Sequence, residues 1–297
     1  MTNQHYAIIG GGINGLSVAR QLLLDFPESK VTVFEKEGDV AQHQSSHNSG
    51  VVHAGLYYEP GGLKARLCRR GAELVKQYCL ENHIAYDECG KVVVALNAIE
   101  EARLESIYQK AIANKVPDVR LLNAEEIKEV EPNCIGTKAL YSPRTAIVSY
   151  GDIAKKMAEE IKQKGGNIIL GKKVVRLTEN NNRVTVHFSG NPSDSPSNNE
   201  QHTKDFDQVI SCAGLQSDRL AIASGDTETP KIVPFFGQYY VIDDTYKAHV
   251  KGLIYPVPDP NYPFLGVHFT KRIDGQMTIG PNAFISLGRE NYSGKDY

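Results

Sequence analysis

The sequence has no apolar run approaching the roughly 18 residues that a membrane-crossing helix requires, so any helical membrane association is expected to be peripheral. It has almost no excess charge of either sign. Against 35 Asp and Glu stand 33 Lys and Arg, a formal net charge of -2, and nothing in that balance points to nucleic acid as a partner. The opening Met1-Thr2-Asn3-Gln4 lacks the basic and apolar regions of a secretory leader, and a cytoplasmic location is the expectation. No two cysteines form a C-x-x-C pair. Cys68, Cys79, Cys89, Cys134 and Cys212 are scattered and read as reduced thiols rather than disulfides or zinc ligands. His43 and His47 do stand at His-x-x-x-His spacing, but in a polar stretch with no cysteine or acidic neighbour, so no metal site is expected. There is no internal repeat.

What is present fits a globular chain: 41% hydrophobic and 23% charged residues over 297 positions, enough for one large or two interleaved domains. His5-Tyr6-Ala7-Ile8-Ile9 is a short apolar run that stops at glycines. Leu16, Val18, Ala19, Leu22 and Leu23 then recur at helical spacing, and Val31-Thr32-Val33-Phe34 is a second β-branched run ending at Glu35. Strand, glycine turn, helix and strand make a βαβ unit. Helices are predicted over 62–83, 98–114 and 150–164. Strands are predicted over Gly90–Leu96, Ile168–Leu170, Val174–Leu177, Arg183–Phe188, Asp207–Gly214, Ile232–Val233, Gln238–Ile242, Gly266–Thr270 and Met277–Ile279. Residues 117–145, mixed in Pro, Asn and acidic types, read as a wrap around a second domain, and 189–204, rich in Ser, Asn, Pro and Asp, as a mobile loop.

Gly10, Gly12 and Gly15 form G-x-G-x-x-G between that strand and that helix. The first glycine permits the tight turn, the second admits a pyrophosphate to the backbone, and the third lets helix and strand pack closely. The helix N-terminus beyond them favours phosphate charge. Glu35 follows Gly15 by twenty residues, at the end of the next strand, where a carboxylate accepts from ribose hydroxyls. An acidic residue there argues against NADP and leaves NAD and FAD open.

Ser45-Ser46-His47-Asn48-Ser49-Gly50-Val51-Val52-His53-Ala54-Gly55-Leu56-Tyr57-Tyr58 resembles a signature of the D-amino-acid-oxidase-like flavoprotein superfamily, and Cys212-Ala213-Gly214 resembles its returning strand end. Within that superfamily the chain is most similar to the L-2-hydroxyglutarate dehydrogenase/oxidase family. The similarity rests on His47 to Tyr58, Leu63 to Cys68, Thr145 to Val148, Tyr255 to Pro260, Gly266 to Thr270 and Gly280 to Ala283. The resemblance implies an α/β chain: a Rossmann-like FAD-binding domain, with a parallel sheet and a small β-meander, interleaved with an α+β substrate domain on a mainly antiparallel sheet. The implied boundaries are 1–88, 146–225 and 272–297 for the first domain, 89–145 and 226–271 for the second. It departs from the family where Phe236-Gly237-Gln238 replaces an Arg, Gly and acidic residue. It is also expected to lack a glycine-containing segment that in the family follows Ala283 and closes over the flavin.

The resemblance implies FAD as cofactor, held by Gly10, Gly12, Ile13, Asn14, Gly15, Glu35, Lys36, Ser45, Ser46, Asn48, Ser49, Gly50, a backbone group near Val174, Ala213 and Gly214. It implies oxidation of L-2-hydroxyglutarate to 2-oxoglutarate, with electrons passed to a quinone or to oxygen, the former at the inner face of a membrane. The alternatives are another hydroxy acid, glycerol 3-phosphate or an amino acid as substrate, or a non-catalytic flavoprotein remnant. Such an oxidation needs a base for the hydroxyl proton, a role suited to histidine near neutral pH. The candidates are His53 and His268, His53 first because its segment passes nearest the ring; for His53 a flavin contact or covalent flavin attachment is the competing role, and for either a structural histidine. A dicarboxylate substrate needs cationic or hydrogen-bonding partners, for which Tyr57, Lys64, Gln238, Tyr255 and Thr270 are the leading candidates, with Arg66, Arg144 and Lys271 behind them.

Overall fold

The computed structural model describes residues 4–190, 201–262 and 266–292. They divide into two compact units. The first comprises 1–48, 150–234 and 285–297, the second 49–149 and 235–284.

The first unit is built on four parallel strands in the order Gln208–Ser211, His5–Ile9, Lys30–Phe34, Asn167–Ile169. The two central strands are apolar almost throughout because both faces are covered. On one face Leu16, Ala19 and Leu23 of helix Ile13–Asp25 pack with Ile8, Val31 and Val33, joined by Ala154, Ala158 and Ile161 of helix Tyr150–Gln163. On the other, Ala7, Ile9 and Phe34 meet Val186 and Phe206 of an antiparallel meander. That meander runs Lys172–Asn180, Arg183–Gly190, His202–Phe206. It has one more strand than the two expected, because both ends of the stretch read as a loop are ladder residues; residues 191–200 of that loop lie outside the described residues. Ile232-Val233 is not a strand. The Ile232 N–H donates to Asp218 Oδ2 at 2.9 Å instead of to a ladder, and Pro234, which has no N–H, follows.

The second unit carries a seven-stranded sheet in the order Phe235–Val241, Met277–Ile285, His268–Lys271, Leu253–Pro256, Lys91–Ala95, Lys138–Ser142, Arg120–Asn123. Its pairing is antiparallel wherever the register is given, except where Leu253–Pro256 lies parallel to Lys91–Ala95. A smaller antiparallel sheet joins Val51–Val52, Ala146–Val148 and Tyr86–Asp87. Residues 117–145, expected to wrap, form two of the large sheet's strands and the helix Ala124–Val130. Asn123 and Glu126 start that helix as a reciprocal capping box. Residues 49–88, 146–149 and 272–284, assigned by resemblance to the cofactor domain, lie in this second unit, and 226–234, assigned to the substrate domain, lie in the first. Val51–Val52 and Tyr86–Asp87 are paired to Ala146–Val148, and Met277–Ile285 is paired to His268–Lys271.

Candidate functional site

The first unit contains a cavity of about 400 Å³ at the carboxyl ends of its parallel strands, the place where open α/β sheets receive ligands. Its floor is backbone. Gly10 has φ +111°, and a Cβ there would sit 2.4 Å from the Cys212 carbonyl oxygen. A Cβ on Gly15 would lie 2.0 Å from the Gly10 oxygen, so strand and helix approach as closely as only glycine permits. Helix Ile13–Asp25 has no acidic residue in its first turn, which leaves its positive end available to an anion. The Ile13 N–H is held by Ser45 Oγ at 2.9 Å. Ile13, Asn14, Lys36, Ser45, Asn48, Val174, Ala213 and Gly214 line the cavity with Gly10, Gly12 and Glu35, and Phe34 and Leu220 give it apolar walls. A strand-end turn, a helix start without acidic residues, a carboxylate and apolar walls form a cradle that suits the ADP half of FAD.

Glu35 was expected to face ribose hydroxyls, and it is nearly buried at the cavity wall. Its oxygens already accept from two backbone groups, Gly11 N–H at 2.7 Å and Glu37 N–H at 2.9 Å. A carboxylate offers about four lone-pair sites, so acceptor capacity remains. Lys36 Nζ is held by Glu37, by Glu290 Oε2 at 2.9 Å, and lies 3.0 Å from His43 Nε2. The hydrogen bond from Lys36 holds Glu37 below the usual carboxylate range. His43 thus has acidic company that the local sequence did not reveal. Glu37, His43 and Glu290 have metal-ligand types within 4.8 Å of one another, but the cation in their midst is the Lys36 ammonium.

Not every expected residue lines the cavity. Gly15 acts through packing, Ser46 is exposed, and Ser49 and Gly50 belong to the second unit, where the Gly50 carbonyl accepts from Val148 N–H at 2.8 Å. Sequence reasoning also missed wall residues, among them Gln42, Tyr150, Lys172 and Lys173. Position along the chain gives no sign of them; Lys172 and Lys173 merely precede Val174 on its strand.

The second unit gathers titratable side chains of its own. The His268 ring stacks on Tyr255 with centroids 3.8 Å apart and 18° between planes. His268 Nδ1 lies 2.8 Å from the Gly266 carbonyl; since that oxygen only accepts, Nδ1 carries the proton and Nε2 is left as the basic atom. Burial, reinforced by the nearby Lys91, pulls His268 down to about 4. Burial likewise pulls His53 down to about 3, helped by Lys91 and His268. Both imidazoles are therefore neutral at pH 7 and able to accept a proton. Tyr57 and Tyr255 are pushed up by burial and stay protonated. Thr270 is fully buried two residues beyond His268 on the same strand, hence on the same face.

Lys64 and Gln238 are exposed, on helix Leu63–Glu81 and edge strand Phe235–Val241, and join none of these contacts among the described residues. Arg144 and Lys271 are engaged with carboxylates: Arg144 with Asp118 and Glu88, Lys271 with Asp87 at 2.8 Å. The residue that sequence reasoning missed is Lys91, buried at the centre of the group. Its signal was a lone charge opening the apolar run Val92-Val93-Val94-Ala95.

Comparison with known proteins places these two sites in context. The family model described as FAD dependent oxidoreductase matches residues 5–296. The mitochondrial L-2-hydroxyglutarate dehydrogenase of Caenorhabditis elegans is 44% identical over 289 residues, covering 96% of this chain and 65% of that protein. The L-2-hydroxyglutarate dehydrogenase of Salmonella houtenae is 43% identical over 291 residues, covering 98% of this chain and 66% of that protein. The chain therefore spans just under two thirds of the length of these relatives. Among solved structures, the dithionite-reduced L-alpha-glycerophosphate oxidase from Mycoplasma pneumoniae with FAD bound superposes with a TM-score of 0.81 at 25% identity, over 98% of this chain and 74% of that one. Among the described residues, no helix is long and apolar enough to cross a membrane.

Proposed function

The chain belongs to the FAD dependent oxidoreductase family, and from that premise we propose that it serves the oxidation of L-2-hydroxyglutarate to 2-oxoglutarate. FAD, the family's cofactor, supplies the hydride acceptor when bound. In the first unit the Gly10 to Gly15 turn, the helix start at Ile13 with Asn14, Ser45, Glu35, the Val174 segment and the Ala213-Gly214 strand end would hold it.

The remaining work is proton handling and substrate placement, and this falls to the second unit. The observation that carries the reading is the buried His268 imidazole, whose Nδ1 is held by the Gly266 carbonyl so that Nε2 is left to accept a proton. An alcohol gives up a hydride readily only as its hydroxyl proton departs, so the oxidation needs a base that is unprotonated at neutral pH. His268 is the better oriented of the two candidate histidines: the Gly266 carbonyl fixes its tautomer and the Tyr255 ring fixes its plane. We assign the proton to His268 Nε2 and give His53 a contact role. That ordering reverses the one drawn from sequence proximity alone. Electrons leave to a quinone or to oxygen.

The relatives' names support the substrate. Anaerobic mixing with L-2-hydroxyglutarate should bleach the flavin absorbance and yield one 2-oxoglutarate per flavin. Bleaching by glycerol 3-phosphate or an amino acid, and not by L-2-hydroxyglutarate, removes this reading.

A further inference from the structure

The second unit buries an amine that no hydrogen-bond acceptor among the described residues pairs. Lys91 is 2% exposed, and its Nζ has no hydrogen-bond partner among the described residues. The Tyr255 ring lies 3.7 Å from Nζ, on the neighbouring parallel strand, and the Tyr57 ring 4.8 Å away. These faces offset part of the cost of burying a cation. Across the other strand its register partner is Ser142, a neutral residue. The titratable groups that face it are Tyr57, Tyr255, His53 and His268. No carboxylate among the described residues pairs with it.

Tyr57 Oη is a second buried donor without a partner among the described residues. Both residues line a small cavity of about 20 Å³, together with His53 and Thr145, which is room for one oxygen-sized group. An ammonium and a phenol hydroxyl that share a void lack one thing, an anionic oxygen. A trapped water would satisfy the hydroxyl but leave the charge unanswered.

We propose that Lys91, with Tyr57, is the receptor for the carboxylate borne by the hydroxyl-carrying carbon of a 2-hydroxy acid. The substrate class rests on the function proposed above; the anion site rests on the geometry of Lys91 and Tyr57. One carboxylate oxygen in that void would sit beside His53, which lines it with Lys91, while His268 stacks on the same Tyr255 ring that Lys91 faces. Burial pulls Lys91 down to about 7, so above that pH the receptor is charged by the arrival of its anion and binding takes up a proton.

The test is calorimetry on the full FAD-loaded chain with glutarate, a dicarboxylate without a hydroxyl to oxidise, at pH 8 in two buffers of different ionisation enthalpy. The expected result is uptake approaching one proton per glutarate bound. Lys91→Met should abolish the uptake and weaken glutarate by roughly 10- to 100-fold, and should weaken butyrate, with its single carboxylate, by the same factor. Uptake that persists in Lys91→Met belongs to a histidine and overturns the proposal, as does unchanged affinity. A loss for glutarate but not butyrate places Lys91 at the distal carboxylate and overturns the assignment. Should that variant not fold, the wild-type pH profile decides. Uptake that grows from pH 6 to pH 8 supports Lys91, whereas uptake confined below pH 6.5 marks the histidines and sinks it. Absence of flavin bleaching by L-2-hydroxyglutarate sinks the proposed oxidation and leaves a glutarate-binding Lys91 standing. Bleaching without Lys91-dependent uptake sinks only the receptor.

Discussion

The two units make their sites from different material. In the first, the cavity is shaped by backbone: Gly10 at φ +111°, Gly15 against the Gly10 carbonyl, and a helix start held by Ser45. In the second, the cluster consists of side chains delivered by separate strands and loops: His53, Tyr57, Lys91, Tyr255 and His268. A backbone site tolerates most side-chain changes and fails abruptly where a Cβ has no room. A side-chain site loses function residue by residue while the sheet beneath it persists. This contrast predicts which substitutions leave a coloured but inactive protein and which leave a colourless one.

The largest effect is expected at the second unit's base. His268→Asn should lower the rate constant for flavin reduction by L-2-hydroxyglutarate by about 10²- to 10⁴-fold while the protein purifies with its flavin. Stopped-flow absorbance under anaerobic conditions measures it. An equal loss in His53→Asn, with His268→Asn near normal, would exchange the two roles.

Gly15→Ala is the matching break in the first unit. The new Cβ would meet the Gly10 oxygen at 2.0 Å, and backbone, unlike a flexible side chain, cannot swing aside. The expected cost is about 2–3 kcal/mol, or roughly 30- to 150-fold in FAD affinity. The flavin-to-protein absorbance ratio after dialysis reports it. A yellow, stoichiometric Gly15→Ala would show that the first unit is not governed by backbone approach.

The same contrast explains what could be read in the sequence. The βαβ unit, the glycine turn and Glu35 follow from local periodicity and fixed spacing, because their physics is local. The meander's first two strands were legible for the same reason. His202–Phe206 was not, since its residues are mostly polar and exposed and only pairing to Arg183–Gly190 defines them as strand. Lys91 shows the limit most plainly. Nothing near it in sequence hints at Tyr57, Tyr255 or His268; a parallel pairing to Leu253–Pro256 brings Tyr255 to it, and the strand beyond carries His268. Lys64, by contrast, sits in a resembling motif yet is exposed.

Lys91 also separates the units in their response to pH. Its folded value of about 7 lies below the ordinary lysine value of 10.5, so between those values the unfolded chain binds more protons than the folded one. Stability from this group therefore rises with pH across that window, and the penalty is complete below about pH 7. Lys91→Met, which fills similar volume without charge, should stabilise the protein by about 2 kcal/mol at pH 6, with the gain fading toward pH 10. Urea denaturation of the flavin-loaded variant and wild type at both pH values measures the difference. A gain that is constant with pH would mean that the amine is not the source.

The smallest expected effect lies at the position where the first unit does depend on a side chain. Glu35 joins the glycine turn to the strand beyond it through Gly11 N–H and Glu37 N–H. Glu35→Gln keeps one oxygen acceptor but turns an amide NH₂ toward the other donor, so one charge-assisted bond is lost. The expected cost is about 1 kcal/mol, since a modest local shift can re-solvate the orphaned N–H. If the carboxylate serves the loop alone, the urea midpoint of flavin-free protein falls and FAD affinity drops only in proportion. If its spare lone pairs also hold the ribose, FAD affinity falls further than stability does. Equal urea midpoints with weakened FAD would make Glu35 a ligand-binding side chain first, and would narrow the difference between the two units at this one position.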